Sequence, residues 1–276
     1  MKIAENNIRL DIQGLRAIAV LAVMIFHLDI NLLPAGFLGV DIFFVISGYI
    51  VTRLILNKIN NNTFSIKDFY IGRVKRIVPA YLFLLLVVSL FSITFLIERD
   101  FGFYYKSLIS SIFFYSNFYF AKFGDYFAPS SNELPLLHLW SLVIEMQFYL
   151  ILPFVLILFK IYVTLKNIII LILSIRIINQ FLISYFELSI YFNLFARIPE
   201  FLFGVLAAFI LNKNYIKVKY SNLISFIGII LVIVSFFIVS DSNVPGIIVL
   251  IPSIGILMII FSKDGVINKF LSNSIL

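Results

Sequence analysis

No cysteine occurs anywhere in the 276 residues. That absence removes disulfides, iron–sulfur clusters, thiolate zinc and a cysteine nucleophile from consideration. Histidine is nearly as scarce. His27 and His138 are the only two, too few for a histidine-rich metal centre, so no metal site is expected and metal-independent chemistry is favoured. Charge is thin as well: 13% of residues are Asp, Glu, Lys or Arg, against roughly 25% in soluble domains, too few to cover a soluble surface. In their place stand hydrophobic residues, 62% of the chain, gathered in runs rather than amphipathic stripes, which defines a polytopic membrane protein.

Runs long enough for a bilayer core fall near 14–33, 38–57, 77–97, 140–159, 167–186, 189–211, 222–240 and 245–262. About eight spans are therefore expected, and the fold class is an all-α polytopic transmembrane helical bundle. Lys2 and Arg9 ahead of the first run imitate a signal peptide, but the run continues to about Leu33 without a small-residue cleavage pattern and counts as the first span. The stretch from Tyr104 to Phe120 is shorter and carries Lys106, Ser107, Ser110, Ser111, Ser116 and Asn117. Basic residues decide its status, because they concentrate in short cytoplasmic loops. If 104–120 does not cross and the N-terminus is cytoplasmic, several basic groups lie inside: Lys2 and Arg9; Arg53, Lys58, Lys67, Arg73, Lys75 and Arg76; Lys160 and Lys166; Lys213, Lys217 and Lys219; Lys263 and Lys269. Arg99, Lys106 and Lys122 then lie outside, alongside Glu98, Asp100, Asp125, Glu133, Glu187 and Asp241. On this reading 98–138 is external, with an interfacial or re-entrant helix near 104–120. The net charge of +7 is an orientation signal in a cytoplasmic (inner) membrane and implies no nucleic-acid partner.

The first span carries two ionisable groups, Arg16 and His27. Each costs at least ~2.5–3.5 kcal/mol in hydrocarbon on insertion scales, so they need a partner or a purpose. Eleven residues make about three helical turns, which sets the two in one line roughly 16 Å apart. The short turn from Asn31 to Gly36 makes spans one and two antiparallel neighbours and brings Asp41 to the depth of His27; Glu145 is expected at a similar depth. Asp29, two residues from His27, points to nearly the opposite side of the helix. Arg73 and Arg76, three residues apart at the mouth of the third span, can share a helical face near the level of Arg16.

Four blocks in order resemble the acyltransferase-3 family, membrane O-acyltransferases of bacterial surface glycans. The opening runs from Asp11-Ile-Gln-Gly-Leu-Arg16 through His27 to Gly36-Phe-Leu-Gly-Val-Asp41 and Ser47-Gly48-Tyr49. Phe69-Tyr-Ile-Gly-Arg73-Val-Lys-Arg76-Ile-Val-Pro79-Ala-Tyr81 looks like the family's basic motif, and Pro135-Leu-Leu-His138-Leu-Trp140-Ser141-Leu-Val-Ile-Glu145-Met-Gln147-Phe-Tyr149 resembles its Trp-Ser-Leu block. A shorter block, Arg197-Ile-Pro-Glu200-Phe-Leu-Phe-Gly204, completes the match. Met146 stands where many relatives carry a second glutamate, so Glu145 alone carries over as the acid of that block. The resemblance implies a single membrane-embedded acyltransferase domain over 1–276. The chain stops soon after the eighth span, where the family pattern continues through a further Ser-Tyr-rich helix, so truncation at the C-terminus is expected.

The resemblance implies transfer of an acyl group, acetyl foremost, from acyl-coenzyme A to a hydroxyl of a cell-surface or lipid-linked saccharide of O-antigen, exopolysaccharide or peptidoglycan type. Acyl-coenzyme A is then a co-substrate, membrane lipid the surroundings, and no cofactor is permanently bound. Such transfer needs a base of near-neutral pKa, and His27 is the only histidine in a span. Asp41 or Glu145 would orient it and balance its protonated form. Arg73 and Arg76 would take the donor's phosphates, and Arg16 a phosphate or the pantetheine arm. Plainer roles stand beside these. Arg73 and Arg76 are topology signals in their own right; His138 beside Trp140 suits an interfacial belt; Ser47-Gly48 suits close helix packing; Ser141 belongs to the Trp-Ser-Leu block; and Glu200, one turn after Arg197, suits a buried ion pair. A transporter or flippase for a lipid-linked or anionic saccharide is the alternative, since Arg176 and Arg197 could line an anion pathway. The lack of repeated halves and the Arg16–His27 line favour the enzyme.

Overall fold

The computed structural model describes residues 9–122, 134–158, 164–186, 190–212 and 220–273. Of the charged residues that orient the chain, Lys2, Asp125, Glu133, Lys160, Glu187, Lys213, Lys217 and Lys219 lie outside the described residues. Among the described residues every regular element is helical: α1 (Leu10–Leu28), α2 (Gly39–Asn60), α3 (Ile66–Phe95), α4 (Phe101–Ile112), α5 (Ser116–Phe120), α6 (Leu139–Leu158), α7 (Leu165–Phe186), α8 (Leu194–Asn212), α9 (Ser221–Ile238), α10 (Leu250–Ser262) and α11 (Val266–Leu271). The all-helical polytopic expectation therefore holds. By length and composition seven helices can cross a membrane: α1 to α3 and α6 to α9. The eighth expected span is a shorter apolar helix, Ile247–Ser262, whose first residues form a 3-10 turn leading into α10.

Two helix boundaries differ from the apolar runs for identifiable reasons. The α3 helix starts at Ile66, well before the apolar run at 77, because the hydroxyl of Ser65 accepts from the Asp68 N–H at 3.3 Å and Asp68 adds an anion to the first turn. Arg73 and Arg76 are thereby helical. The 104–120 stretch is two helices of 12 and 5 residues, broken where Phe114 takes a positive φ of 55°. Neither piece is long enough to span.

The chain divides into two compact units, Met1–Ile50 with Glu200–Leu276, and Val51–Pro199; the boundaries fall inside α2 and α8. In the first unit, close backbone approach organises the packing. A Cβ at Gly204 would lie 2.1 Å from the Val45 carbonyl oxygen, and one at Gly48 would lie 2.2 Å from that of Phe201, so α2 and α8 cross where neither carries a side chain. Phe44 and Phe201 stack beside this crossing at 4.6 Å. The Ser47-Gly48 block is thus explained by packing at its glycine. In the second unit α3 buries one stripe, Phe69, Arg73, Tyr81, Leu85 and Ser92, and leaves long runs of Leu, Phe and Ile exposed, as a lipid-facing helix does. Tyr81 ties that stripe to the α4–α5 break: its hydroxyl donates to the Ser111 carbonyl at 2.9 Å and its ring stacks on Phe114 at 4.8 Å.

Candidate active site

In the first unit the site is built on α1. Arg16 is half-buried at its second turn, and His27 is exposed in its last turn. The helix ends at Leu28 rather than near residue 33, so His27 stands at a helix terminus and not midway along a span. The His27 Nδ1 lies 2.7 Å from the carbonyl oxygen of Val23. A carbonyl only accepts, so Nδ1 carries the proton and the lone pair of the neutral ring is on Nε2. The turn that holds the imidazole is itself held. A Cβ at Gly36 would lie 2.3 Å from the Ala22 carbonyl oxygen, and one at Gly39 would lie 2.3 Å from that of Ala19 and 2.7 Å from Val23 Cγ2. The two glycines of Gly36-Phe-Leu-Gly39 let that turn press onto α1 directly behind Val23. Asp41 follows within the first turn of α2, fully buried, where free N–H groups of the helix favour an anion. Asp29 is engaged elsewhere: its Oδ1 accepts from the N–H of Asn31 at 2.9 Å and from Asn31 Nδ2 at 3.0 Å.

In the second unit α3 and α6 bring two candidate residues, Arg73 and Glu145, toward one another through an unexpected third. Arg73 is buried, whereas Arg76, three residues on, is exposed. The Arg73 guanidinium lies 5.8 Å from the ring centroids of both Phe69 and Tyr149. The Tyr149 hydroxyl donates to Glu145 Oε1 one turn back on α6. Near the same level the Tyr70 hydroxyl donates to the Leu150 carbonyl at 2.7 Å, fixing α3 against α6. The sequence assigns Tyr149 no role of its own, although its spacing of four from Glu145 is the signal that points to it.

The remaining polar candidates have structural surroundings. Arg197 is fully buried, donates Nε–H to the Tyr191 carbonyl at 3.0 Å, and lies 4.3 Å from the Tyr191 ring and 5.4 Å from Trp140. Desolvated cation–π contacts of this kind are worth ~2 kcal/mol or more, so Trp140 reads as a wall around Arg197. Ser141 donates to the His138 carbonyl at 3.3 Å. Ser47 and Glu200 are buried in the first unit. At the start of α1, Arg9 donates to Asp11 through Nε at 3.0 Å and through a second nitrogen, and to the Ile260 carbonyl at 2.9 Å; Asn268 Nδ2 reaches Asp11 at 2.7 Å. This network joins residues 257 positions apart, and no local pattern announces it.

Fold and site together define a multi-pass helical membrane protein with ionisable groups set into its spanning helices. The chain belongs to the acyltransferase-3 family: residues 9–276 match the family model described as an acyltransferase domain. A Haemophilus influenzae protein named only as uncharacterized is 35% identical over 239 residues, covering 81% of this chain and 98% of that protein. A Staphylococcus aureus strain COL protein named "Putative O-acetyltransferase SACOL0978" is 38% identical over 251 residues. O-acetyltransferase OatA of Staphylococcus aureus strain NCTC 8325 is 36% identical over 247 residues. Each staphylococcal match covers 84% of this chain and 41% of the relative, so the chain spans about two fifths of their length. No solved structure matches the chain.

Proposed function

We infer that the chain is a membrane-embedded O-acetyltransferase domain, its 276 residues acting as one unit of function, that moves an acyl group from acyl-coenzyme A to a saccharide hydroxyl. The family and the names of the staphylococcal relatives support the reaction class. The observation that carries the mechanism is the His27 imidazole, whose Nδ1–H is committed to Val23 and whose lone pair is therefore on Nε2. In this mechanism Nε2 takes the proton of the acceptor hydroxyl while its oxygen attacks the thioester carbonyl. The tetrahedral intermediate collapses to the ester, and the departing thiolate takes the proton back from the imidazolium as free coenzyme A. Asp41 is the buried carboxylate of the same unit suited to balance the imidazolium. Arg73, Arg76 and Arg16 serve the donor, which arrives from the cytoplasm of a cell whose inner membrane holds the protein with its N-terminus inside.

The test is direct. Protein purified in detergent is given acetyl-coenzyme A labelled in the acetyl group, with a panel of cell-envelope glycans. Ester-linked label on a glycan is expected, and release of free coenzyme A should match it one for one. Coenzyme A release that no glycan stimulates, with no label transferred to any of them, would overturn the saccharide reading.

A further inference from the structure

Arg73 presents an unusual combination. Its side chain is more than nine-tenths buried, and its Nε hydrogen-bonds to no described residue. The rings of Phe69 and Tyr149 each lie 5.8 Å from its guanidinium carbon, and the Tyr149 hydroxyl oxygen accepts from the guanidinium, which leaves Nε without a partner. A carboxylate belongs to the same cluster: Glu145, one turn back from Tyr149 on α6, accepts from the Tyr149 hydroxyl. Yet Glu145 spends one oxygen on the Tyr149 hydroxyl, and among the described residues no carboxylate comes within ion-pair distance of Arg73. Tyrosine thus stands between an acid and a base that would otherwise close on each other.

We propose that Tyr149 is the positioning residue of a buried anion site, holding the Glu145 carboxylate off Arg73 so that the guanidinium stays open to a phosphate. The inference rests on the donor reading of Arg73 and Arg76, and it names what that site takes: a phosphate or pyrophosphate oxygen received at the Arg73 fork, with exposed Arg76 as the outer cation. It also gives Glu145 a different task from orienting His27. The carboxylate offsets the cost of one buried positive charge while no anion is bound, and Tyr149 keeps that compensation from becoming a closed salt bridge.

Opposite signs distinguish this arrangement from a merely structural one. Tyr149→Phe keeps the ring and removes the hydroxyl that lies between Glu145 and Arg73, so acid and base can approach each other and coenzyme A should bind more weakly. Glu145→Gln keeps an acceptor for the Tyr149 hydroxyl and removes the competing charge, so coenzyme A should bind more tightly.

The experiment measures coenzyme A binding by calorimetry on the full chain in lipid nanodiscs, together with acetyl transfer. Arg73→Gln should weaken binding about tenfold or more, the loss of one charge-assisted contact. Tyr149→Phe should raise Kd and the donor KM about three- to tenfold with kcat within about twofold, and Glu145→Gln should lower Kd by a similar factor. If Arg73→Gln and Arg76→Gln both bind coenzyme A like wild type, the donor reading itself fails. Should Arg73→Gln weaken binding while Tyr149→Phe leaves Kd unchanged, the donor reading stands and the role given to Tyr149 is wrong. A Glu145→Gln protein with unchanged Kd and reduced kcat would return Glu145 to the proton-transfer machinery and equally overturn the proposal.

Discussion

At the scale of single residues, the difference between an ionisable group suited to chemistry and one that serves the fold is written in its partners. His27 gives one nitrogen to its own helix, which puts the lone pair of the neutral ring on the other, the tautomer a general base would need. If it is the general base, His27→Ala should lower acetyl transfer by about 10²–10⁴-fold while leaving coenzyme A affinity and membrane insertion intact, because alanine suits a helix and strands no charge. Retention of more than about a tenth of wild-type turnover would exclude that role. Arg9 is the contrasting case. Burial opposes its charge, but the hydrogen bonds and electrostatic attraction of Asp11 and Tyr49 together more than offset it and raise the guanidinium above the ordinary arginine value. With side chains only 15% and 6% exposed, this pair is closed and fully used. Asp11→Ala leaves a cation with no counter-charge and should cost about 3 kcal/mol, read as a lowered apparent melting temperature in detergent, whereas Arg9→Met with Asp11→Leu should cost less than Asp11→Ala alone. Equal or greater loss in the double variant would show that the pair is worth more than its desolvation.

At the scale of helices, the sequence announces where apolar runs lie but not where helices end. Runs of Leu, Ile and Phe locate all seven long helices because hydrophobicity over a bilayer thickness is a local property. The ends depend on single residues: a Ser65 cap that begins α3 early, a left-handed Phe114 that splits 104–120 in two, and a chain that leaves α1 at Leu28. The site is legible to the same degree. Arg16, His27, Arg73 and Glu145 stand out as ionisable groups in apolar helices, but the Val23 carbonyl, the Tyr149 hydroxyl and Asn268 are ordinary groups whose importance comes only from what they touch. Glycines divide in the same way, since only the structure tells a packed one from an idle one. Gly204→Ala would drive a Cβ to 2.1 Å from the Val45 carbonyl oxygen and 2.4 Å from the Tyr49 nitrogen, backbone atoms that cannot rotate aside. It should destabilise by about 1–3 kcal/mol. Nothing lies within 4 Å of a Cβ at Gly72, so Gly72→Ala should instead stabilise α3 by roughly 0.5–1 kcal/mol. Melting of the two variants in one detergent compares them directly, and a Gly204→Ala protein as stable as wild type would mean that the α2–α8 crossing is looser than this geometry.

For the whole molecule the decisive quantity is the side of the membrane from which each substrate comes, and α3 offers the sharpest place to measure it. Its 30 residues extend about 45 Å, the thickness of a bilayer including its headgroups, so its two ends belong on opposite faces. From the last turns of α2 to the first turns of α3 the sequence carries Arg53, Lys58, Lys67, Arg73, Lys75 and Arg76 with Asp68 the one acid among them; beyond the last turn of α3 Arg99 is flanked by Glu98 and Asp100. That imbalance favours the first end as cytoplasmic. Because the chain has no cysteine, a single one at exposed Asn61 or exposed Arg99 reports without background. In intact cells a membrane-impermeant maleimide should label Arg99→Cys and leave Asn61→Cys untouched until the membrane is opened. The reverse pattern would place Arg73 and Arg76 on the outer face, where no cytoplasmic acyl-coenzyme A could reach them, and the donor would have to be delivered by some other route. Labelling of both from outside would mean that α3 does not cross at all, and the assignment of its two ends to different substrates would fall with it.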